Sequence, residues 1–291
     1  VRAMANMSAI YHGRPERAVF DREWSALKQS CSGERGILNV APLEKKRGQR
    51  IRMNPCAEIG LRFSTSDAHG SVTTGGGQFC NLSAAVLRAG DTRETVARKV
   101  RIAAWIGVIQ STFTHFPYLR PTWKRLCEED RLIGVDLTGQ CDAPHIANDP
   151  AILLSLNETV RIEADWMADH LGINRPAAVT CGKPSGNSSV MLDCSAGFHP
   201  RYSPHYIRRV RISAADPLCQ VLRQSGVALE PENGQQTGTA TTLVASFPVK
   251  SPEGAMTRND ETALEQLGRY RRIMETWCGE RGHNQSATIY V

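Results

Sequence analysis

The sequence predicts an α/β fold with parallel strands. Short β-rich runs alternate with amphipathic stretches of helical length, the pattern of strands joined by helical crossovers. Start and stop signals flank several of the helical stretches. With 41% hydrophobic and 22% charged residues over 291 positions, the chain can bury a core as one large domain or two ordinary ones.

Taken in order, residues 20–31 read as a helix, with Asp21 placed to cap its start and Gly33 just past its end. RGILNV (35–40) is a short apolar strand, and residues 41–50 read as a polar, basic loop. In NPCAEIGL (54–61), Pro55 and the surrounding loop residues suggest an exposed tip rather than a central strand. RFSTSDAHGSVTTGGGQF (62–79), rich in Ser, Thr and Gly, reads as a flexible excursion. Asp91, Thr92, Arg93 and Glu94 match a capping box that opens a helix to about Thr114. RLIGVDLTG (131–139) is a buried strand ending in a turn. Asp149 and Pro150 start a helix to about Gly172. AAVTCG (177–182) is a strand that runs straight into KPSGNSS (183–189). HYIRRVRIS (205–213) and TTLVASFPV (241–249) are strands of alternating character. Asn259 starts a last amphipathic helix through about Cys278, and SATIYV (286–291) is a final β-rich strand.

Several function classes drop out. No apolar run reaches the ~18–20 residues that span a bilayer, so no membrane partner is expected. VRAMANMSAIYHGRPER at the start has no apolar core of a signal peptide. The net charge of +6 is spread out, and its one dense run, EKKRGQR (44–50), reads as a solvated loop; no direct nucleic-acid binding is expected. Nine cysteines occur without a CxxC pair, which argues against a zinc ribbon or a thioredoxin-type motif, and no metal ligands are assigned. A reducing, cytoplasmic setting with free thiols is expected, in which any disulfide is transient and catalytic. The chain starts without an initiator Met and stops inside a strand, so a fragment of something longer is expected.

Four segments could carry chemistry. In an extended NPCAEIGL, Asn54, Cys56 and Glu58 would share one face. This is either a catalytic row or a strand that buries a cysteine beside a capping Asn and a surface Glu. A carboxylate raises a neighbouring thiol's pKa, so a papain-like thiolate is disfavoured. Hydrogen-atom transfer is the chemistry that wants a neutral thiol beside a base. Cys80, behind the glycines of GGGQFCNLS, could approach another thiol or act as a small buried hydrophobe. KPSGNSSVM (183–191) follows a strand directly, so its backbone N–H groups and hydroxyls suit a phosphate, or simply cap a helix. The fourth segment, FHPRYSPHYIRRVRIS (198–213), reads as a half-exposed strand with snorkelling arginines, and its His199 and His205 do not read as a metal pair.

Together these segments resemble the catalytic subunit of ribonucleotide reductases, most closely the adenosylcobalamin-dependent class II, ribonucleoside-triphosphate reductase-like enzymes. The likeness covers nearly the whole chain and keeps the family's order. It rests on AMANMSAIY, SGERGILNV, NPCAEIGL (the family's NPCGEI), FCNLS, RLIGVDLTG, KPSGNSS, GFHPRYSPHYIRRVRIS, ASFPVK and SATIYV. The resemblance implies a ten-stranded α/β barrel of two five-stranded parallel halves, threaded by a finger loop that carries the radical cysteine. This chain, 1–291 as one unit, would supply mainly the second half, with the finger at about 52–62 and the phosphate loop at about 183–191.

The implied activity is thiyl-radical reduction of ribonucleoside di- or triphosphates to 2′-deoxyribonucleotides for DNA synthesis. Adenosylcobalamin would be the cofactor, thioredoxin or glutaredoxin the reductant, and an allosteric nucleotide would bind outside this chain. By position, Cys56 matches the thiyl-radical cysteine that takes the ribose 3′ hydrogen. Glu58 matches the base for the 3′ hydroxyl, and Asn54 the amide that holds substrate hydroxyls. Cys80 matches one cysteine of the redox pair, whose partner lies in the amino-terminal half. Ser185, Gly186, Asn187, Ser188 and Ser189 match the phosphate loop. Four departures stand out. Ala57 replaces a Gly, expected to be harmless. Asn187 stands where Thr is common. The Glu58–Cys80 spacing is closer to class I, and HNQSATIYV lacks a cysteine often found there. The alternatives are a class I subunit that takes its radical from a partner protein, and a truncated, non-catalytic nucleotide-binding fragment.

Overall fold

The computed structural model describes residues 7–31, 36–66 and 72–290. The α/β expectation holds, with a parallel sheet at its centre. The chain opens with β1 (Ser8–Tyr11), α1 (Arg17–Ser30) and β2 (Gly36–Asn39), a parallel strand pair joined by a helix. The helix starts three residues earlier than expected. Asp21 accepts from Arg17 one turn back at 2.9 Å instead of capping the start. Gly33 lies outside the described residues.

The expected polar loop at 41–50 is instead helical. In α2 (Ala41–Arg47), Pro42 and Glu44 lie in the first turn, three basic residues in the last, and Gly48 follows at a φ of 64°. Each sits where the helix dipole and the end geometry favour it. The basic run is solvated only in part: Lys45, Lys46 and Arg50 are exposed, but Lys46 also donates to the Cys278 carbonyl at 2.8 Å, and Arg47 turns inward to pair with Asp130.

Next come two antiparallel hairpins. The first joins β3 (Arg52–Met53) to β4 (Gly60–Leu61), and the second joins β5 (Ser64–Ser66) to β6 (Val72–Thr74) within the expected flexible excursion. The core then forms from β7 (Asn81–Val86), α3 (Arg93–Gln110), α4 (Pro121–Asp130), β8 (Ile133–Thr138), α5 (Pro144–Ala147), α6 (Pro150–Leu171) and β9 (Thr180–Gly182). The capping box of α3 is Thr92 with Thr95, one residue on from the expected pair, and the helix stops at Gln110. Asp91 instead binds Lys99 and the Thr95 hydroxyl. The α6 prediction holds closely: Asp149 accepts from Ala151 and Ile152, and Gly172 ends the helix in the left-handed region.

After α7 (Gly186–Met191), the strand β10 (His205–Ser213), helix α8 (Leu218–Gln224), and strands β11 (Leu229–Pro231) and β12 (Thr242–Lys250) build an antiparallel sheet in the order β10-β12-β11. This part departs from the parallel expectation. Residues along β10 alternate between exposed and half-buried, so neither face enters the core. Helix α9 (Ala263–Glu275) is capped by Thr262 and Glu265 rather than begun at Asn259.

The last strand, β13 (Gly282–Gln285), precedes the expected one. SATIYV makes no ladder along residues 286–290. Ser286 N–H still bonds the Gly182 carbonyl at 2.9 Å, but beyond it the N–H groups go to side chains: Thr288 to His199 Nε2 at 2.8 Å and Tyr290 to Gln266 Oε1 at 2.9 Å.

Strands β13, β9, β8 and β7 lie side by side in that order, all parallel. Every residue of β8 is buried. Helices α3 and α6 cover one face through Val96, Val100, Ala104, Leu153, Leu156 and Val160. Trp277 and Phe198 are fully buried at the α9 side. Among the described residues the strands form five separate sheets rather than a closed ring.

Candidate active site

The stretch holding Asn54, Cys56 and Glu58 is the tip of the β3–β4 hairpin. It is not extended, so alternation does not bring these groups together; a turn does. Ala57 N–H bonds the Asn54 carbonyl at 2.9 Å, with Pro55 and Cys56 between them. The Asn54 N–H reaches the Ile59 carbonyl at 3.1 Å, and Asn54 Oδ1 accepts the Ile59 N–H at 2.9 Å. The side-chain carbonyl of Asn54 thus closes the loop, leaving its amide nitrogen for a ligand. Ala57 takes a φ of 62°. A Cβ in the left-handed region costs about 1–2 kcal/mol, so Ala57 is a strained substitute for Gly and not a harmless one.

The hairpin is pinned from behind by β13. Asn284 donates its N–H to the Glu58 carbonyl at 2.9 Å and its side-chain amide to the Ala57 carbonyl at 2.8 Å. Gly60 N–H points at His283 Nδ1 at 3.4 Å. An Nδ1 that accepts must be unprotonated, so His283 carries its hydrogen on Nε2. That atom lies 3.2 Å from the Ile133 carbonyl and 3.6 Å from Cys80 Sγ. One buried imidazole therefore touches both the hairpin and Cys80. Burial, then the charge of Arg47, pushes its pKa down to about 3, so it is neutral.

Cys56, Cys80 and the fully buried Cys181 all feel the charge of Glu58. The half-buried Cys56 is raised by burial and then by Glu58, with Lys183 opposing. Cys80, one residue before β7, is raised strongly by burial and again by Glu58. Both are S–H groups at neutral pH. Glu58 itself is 3% exposed, and its Oε2 is buried without a hydrogen-bond partner. A buried carboxylate oxygen lacking a donor is costly, and a ligand hydroxyl would satisfy it. Cys80 lies near Glu58 and His283 and pairs with no second cysteine; all nine thiols are free.

The 183–189 segment leaves the end of β9, at the carboxyl edge of the sheet, where open α/β sheets take ligands. Gly182 allows the close approach of β13: a Cβ there would fall 2.0 Å from Gln285 Oε1. The loop residues divide into two sets. Ser185 and Ser189 are buried and spend their hydroxyls internally, on Asp136 at 2.8 Å and on the Gly186 carbonyl at 3.0 Å. Gly186 and Asn187 are exposed and Ser188 half-buried. As residues of the first helical turn, these three present N–H groups that have no acceptor within the helix. Sequence reading missed Asp136, His283 and Asn284. The first is hidden in an apolar strand, and the other two precede the strand that was expected.

No family model matches the chain. Curated relatives do match. A probable adenosylcobalamin-dependent ribonucleoside-triphosphate reductase of Dictyostelium discoideum is 32% identical over 125 residues, 42% of this chain and 15% of the relative. The enzyme of that name from Levilactobacillus brevis is 24% identical over 307 aligned positions, 89% of this chain and 38% of its own. That of Lactobacillus acidophilus is 24% identical over 267, covering 76% and 32%. This chain is a relative of the adenosylcobalamin-dependent ribonucleoside-triphosphate reductases. It spans between about a seventh and two fifths of the length of these reductases. A crystal structure of a B-12 dependent (class II) ribonucleotide reductase superposes with a TM-score of 0.65 at 18% identity, over 84% of this chain and 35% of that one, a likeness of fold. Among the described residues no helix is long and apolar enough to cross a membrane.

Proposed function

We propose that this chain is part of the catalytic barrel of a class II ribonucleotide reductase, with the β3–β4 hairpin as its finger loop, residues 183–191 as its phosphate loop, and the ten-stranded ring completed by sequence beyond this chain. The observation that carries the reading is the unpartnered, buried Glu58 Oε2, whose charge is felt by the protonated thiols of Cys56 and Cys80. A structural carboxylate would be paired; a base awaiting a substrate hydroxyl would not.

In this reading the Cys56 S–H, partly exposed on the hairpin tip, is the hydrogen-atom donor and then the acceptor of the ribose 3′ hydrogen. Glu58 takes the proton of the 3′ hydroxyl, which helps expel the 2′ hydroxyl as water. The Asn54 amide nitrogen holds substrate hydroxyls. Cys80 and a cysteine outside this chain give up two electrons and two protons and close to a disulfide, which thioredoxin or glutaredoxin then reduces. Residues 186–188 receive the nucleotide phosphates on backbone N–H groups.

Adenosylcobalamin, when bound, supplies the radical equivalent that removes the Cys56 hydrogen. The site fits such a carrier, because the thiol is protonated and reachable from outside. Pro55 and Ala57, on either side of Cys56, are the residues that would meet it there. Activity with adenosylcobalamin and no second protein separates class II from class I. The central test is Cys56→Ser in the full-length protein. No deoxyribonucleotide should form while nucleotide binding stays within about twofold, the usual scatter for a surface change; turnover by this variant would sink the assignment.

A further inference from the structure

The residue that shapes the 183–189 loop lies in the sheet beneath it. Asp136, within β8, has no solvent exposure. Its carboxylate oxygens divide the loop between them. Oδ1 accepts the Lys183 N–H at 2.8 Å, and Oδ2 accepts the Ser185 hydroxyl at 2.8 Å. The backbone at Ser185 is held at a φ of 50°, a conformation L-residues avoid unless their surroundings impose it. Anchored this way, Ser185 turns its hydroxyl inward, and its carbonyl accepts the Ser189 N–H at 3.0 Å as the first bond of α7.

We propose that Asp136 is a positioning residue for the nucleotide phosphates: by fixing Lys183 and Ser185 it presents residues 186–188 to the ligand without touching it. The inference rests on the reading of this loop as the phosphate site. The charged and titratable groups that face Asp136 are Lys183 on the loop, Glu58 on the hairpin, Cys181 on β9 and Cys278 after α9. Burial raises its pKa to about 6 against the pull of Lys183 and Ser185, so it is an anion at neutral pH and accepts on both oxygens.

The test uses the full-length protein, a ribonucleoside triphosphate and the matching unphosphorylated nucleoside. Asp136→Asn keeps the shape, but its amide nitrogen cannot accept the Ser185 hydroxyl. It should weaken triphosphate binding roughly ten- to a hundredfold, as for lost hydrogen bonds to a charged group. Nucleoside affinity should stay within about twofold, and the loss should fall on KM rather than on kcat. In a Ser185→Ala background the same change should cost less than about threefold, because the two residues act as one unit. Equal losses in both backgrounds, or equal losses for nucleoside and triphosphate, would overturn the inference. If Asp136→Asn does not fold, Ser185→Ala alone should show the same triphosphate-selective loss, and its absence counts against the proposal. An Asn187→Ala/Ser188→Pro variant separates the two levels. If it binds triphosphate like the unaltered protein, the loop is not the phosphate site. If it loses affinity while Asp136→Asn does not, the loop reading stands and the role of Asp136 falls.

Discussion

Acid should loosen this site through His283. The imidazole is 2% exposed, accepts at Nδ1 from Gly60 and carries its hydrogen on the Nε2 that faces Ile133 and Cys80. Its pKa falls from 6.5 to about 3 in the fold, chiefly by burial. The unfolded chain therefore takes up a proton below pH 6.5 that the fold refuses. Stability from this group is complete above that value and is lost as the pH falls towards 3. The slope approaches about 1.4 kcal/mol per pH unit, so from pH 7 to pH 5 the histidine alone removes about 2 kcal/mol. Carboxylates titrate as well, so the assay is a difference. Urea unfolding of the full-length protein and of His283→Gln, which can keep both polar contacts without titrating, should converge by about 2 kcal/mol between those pH values. A gap constant to within about 0.5 kcal/mol, the noise of a neutral substitution, would refute the assigned tautomer and burial.

Three further outcomes are expected. Ala57→Gly relieves the left-handed strain at the hairpin tip and should raise stability by about 0.5–1 kcal/mol after the entropy of the added Gly, measured by denaturant unfolding; destabilisation would show that the turn is not strained. Asn284→Ala removes the clamp on the Ala57 carbonyl. It should lower kcat by about one to two orders of magnitude through misplacement of Cys56, with a stability cost near 1 kcal/mol for the lost hydrogen bond; unchanged kcat would mean that the tip is held elsewhere. Cys80→Ser should form no deoxyribonucleotide even in a single turnover, because the pair that gives up two electrons can no longer close to a disulfide although the Cys56 thiol is kept; normal product formation would remove Cys80 from the redox pair.

Much of this was legible before any coordinates. The helix from Pro150 to Leu171 was readable because Asp149, Pro150 and Gly172 act locally, on the first and last turns. Helix α2 carried equally local signals, but its charges resembled a solvated loop, and only the contacts of Lys46 with Cys278 and of Arg47 with Asp130 show that part of the run is anchored to the fold. Asn54, Cys56 and Glu58 stand out together as a row, on an exposed tip, while Cys80 reads separately and joins them only through the family resemblance. The reason given for the row was wrong: a turn at Pro55 and Cys56 sets the side-chain directions, not strand alternation. His283 and Asn284 were unreadable as site residues. A buried polar strand looks like a loop until its partners are known, and theirs lie more than two hundred residues away.

That separation has a consequence for how the protein is made. The Ala57 carbonyl meets the Asn284 amide across 227 residues, so the hairpin cannot be clamped until the chain has been synthesised through β13 and has closed a very long loop. Contacts of such range form late in folding. The tip that carries Cys56 should therefore be among the last parts to set, after the β7–β8 pair and its covering helices have condensed. During translation the thiol stays an ordinary exposed cysteine, and the role proposed for it could arise only with the finished fold. Chain order thus works as a timer that completes the surroundings of Cys56 last.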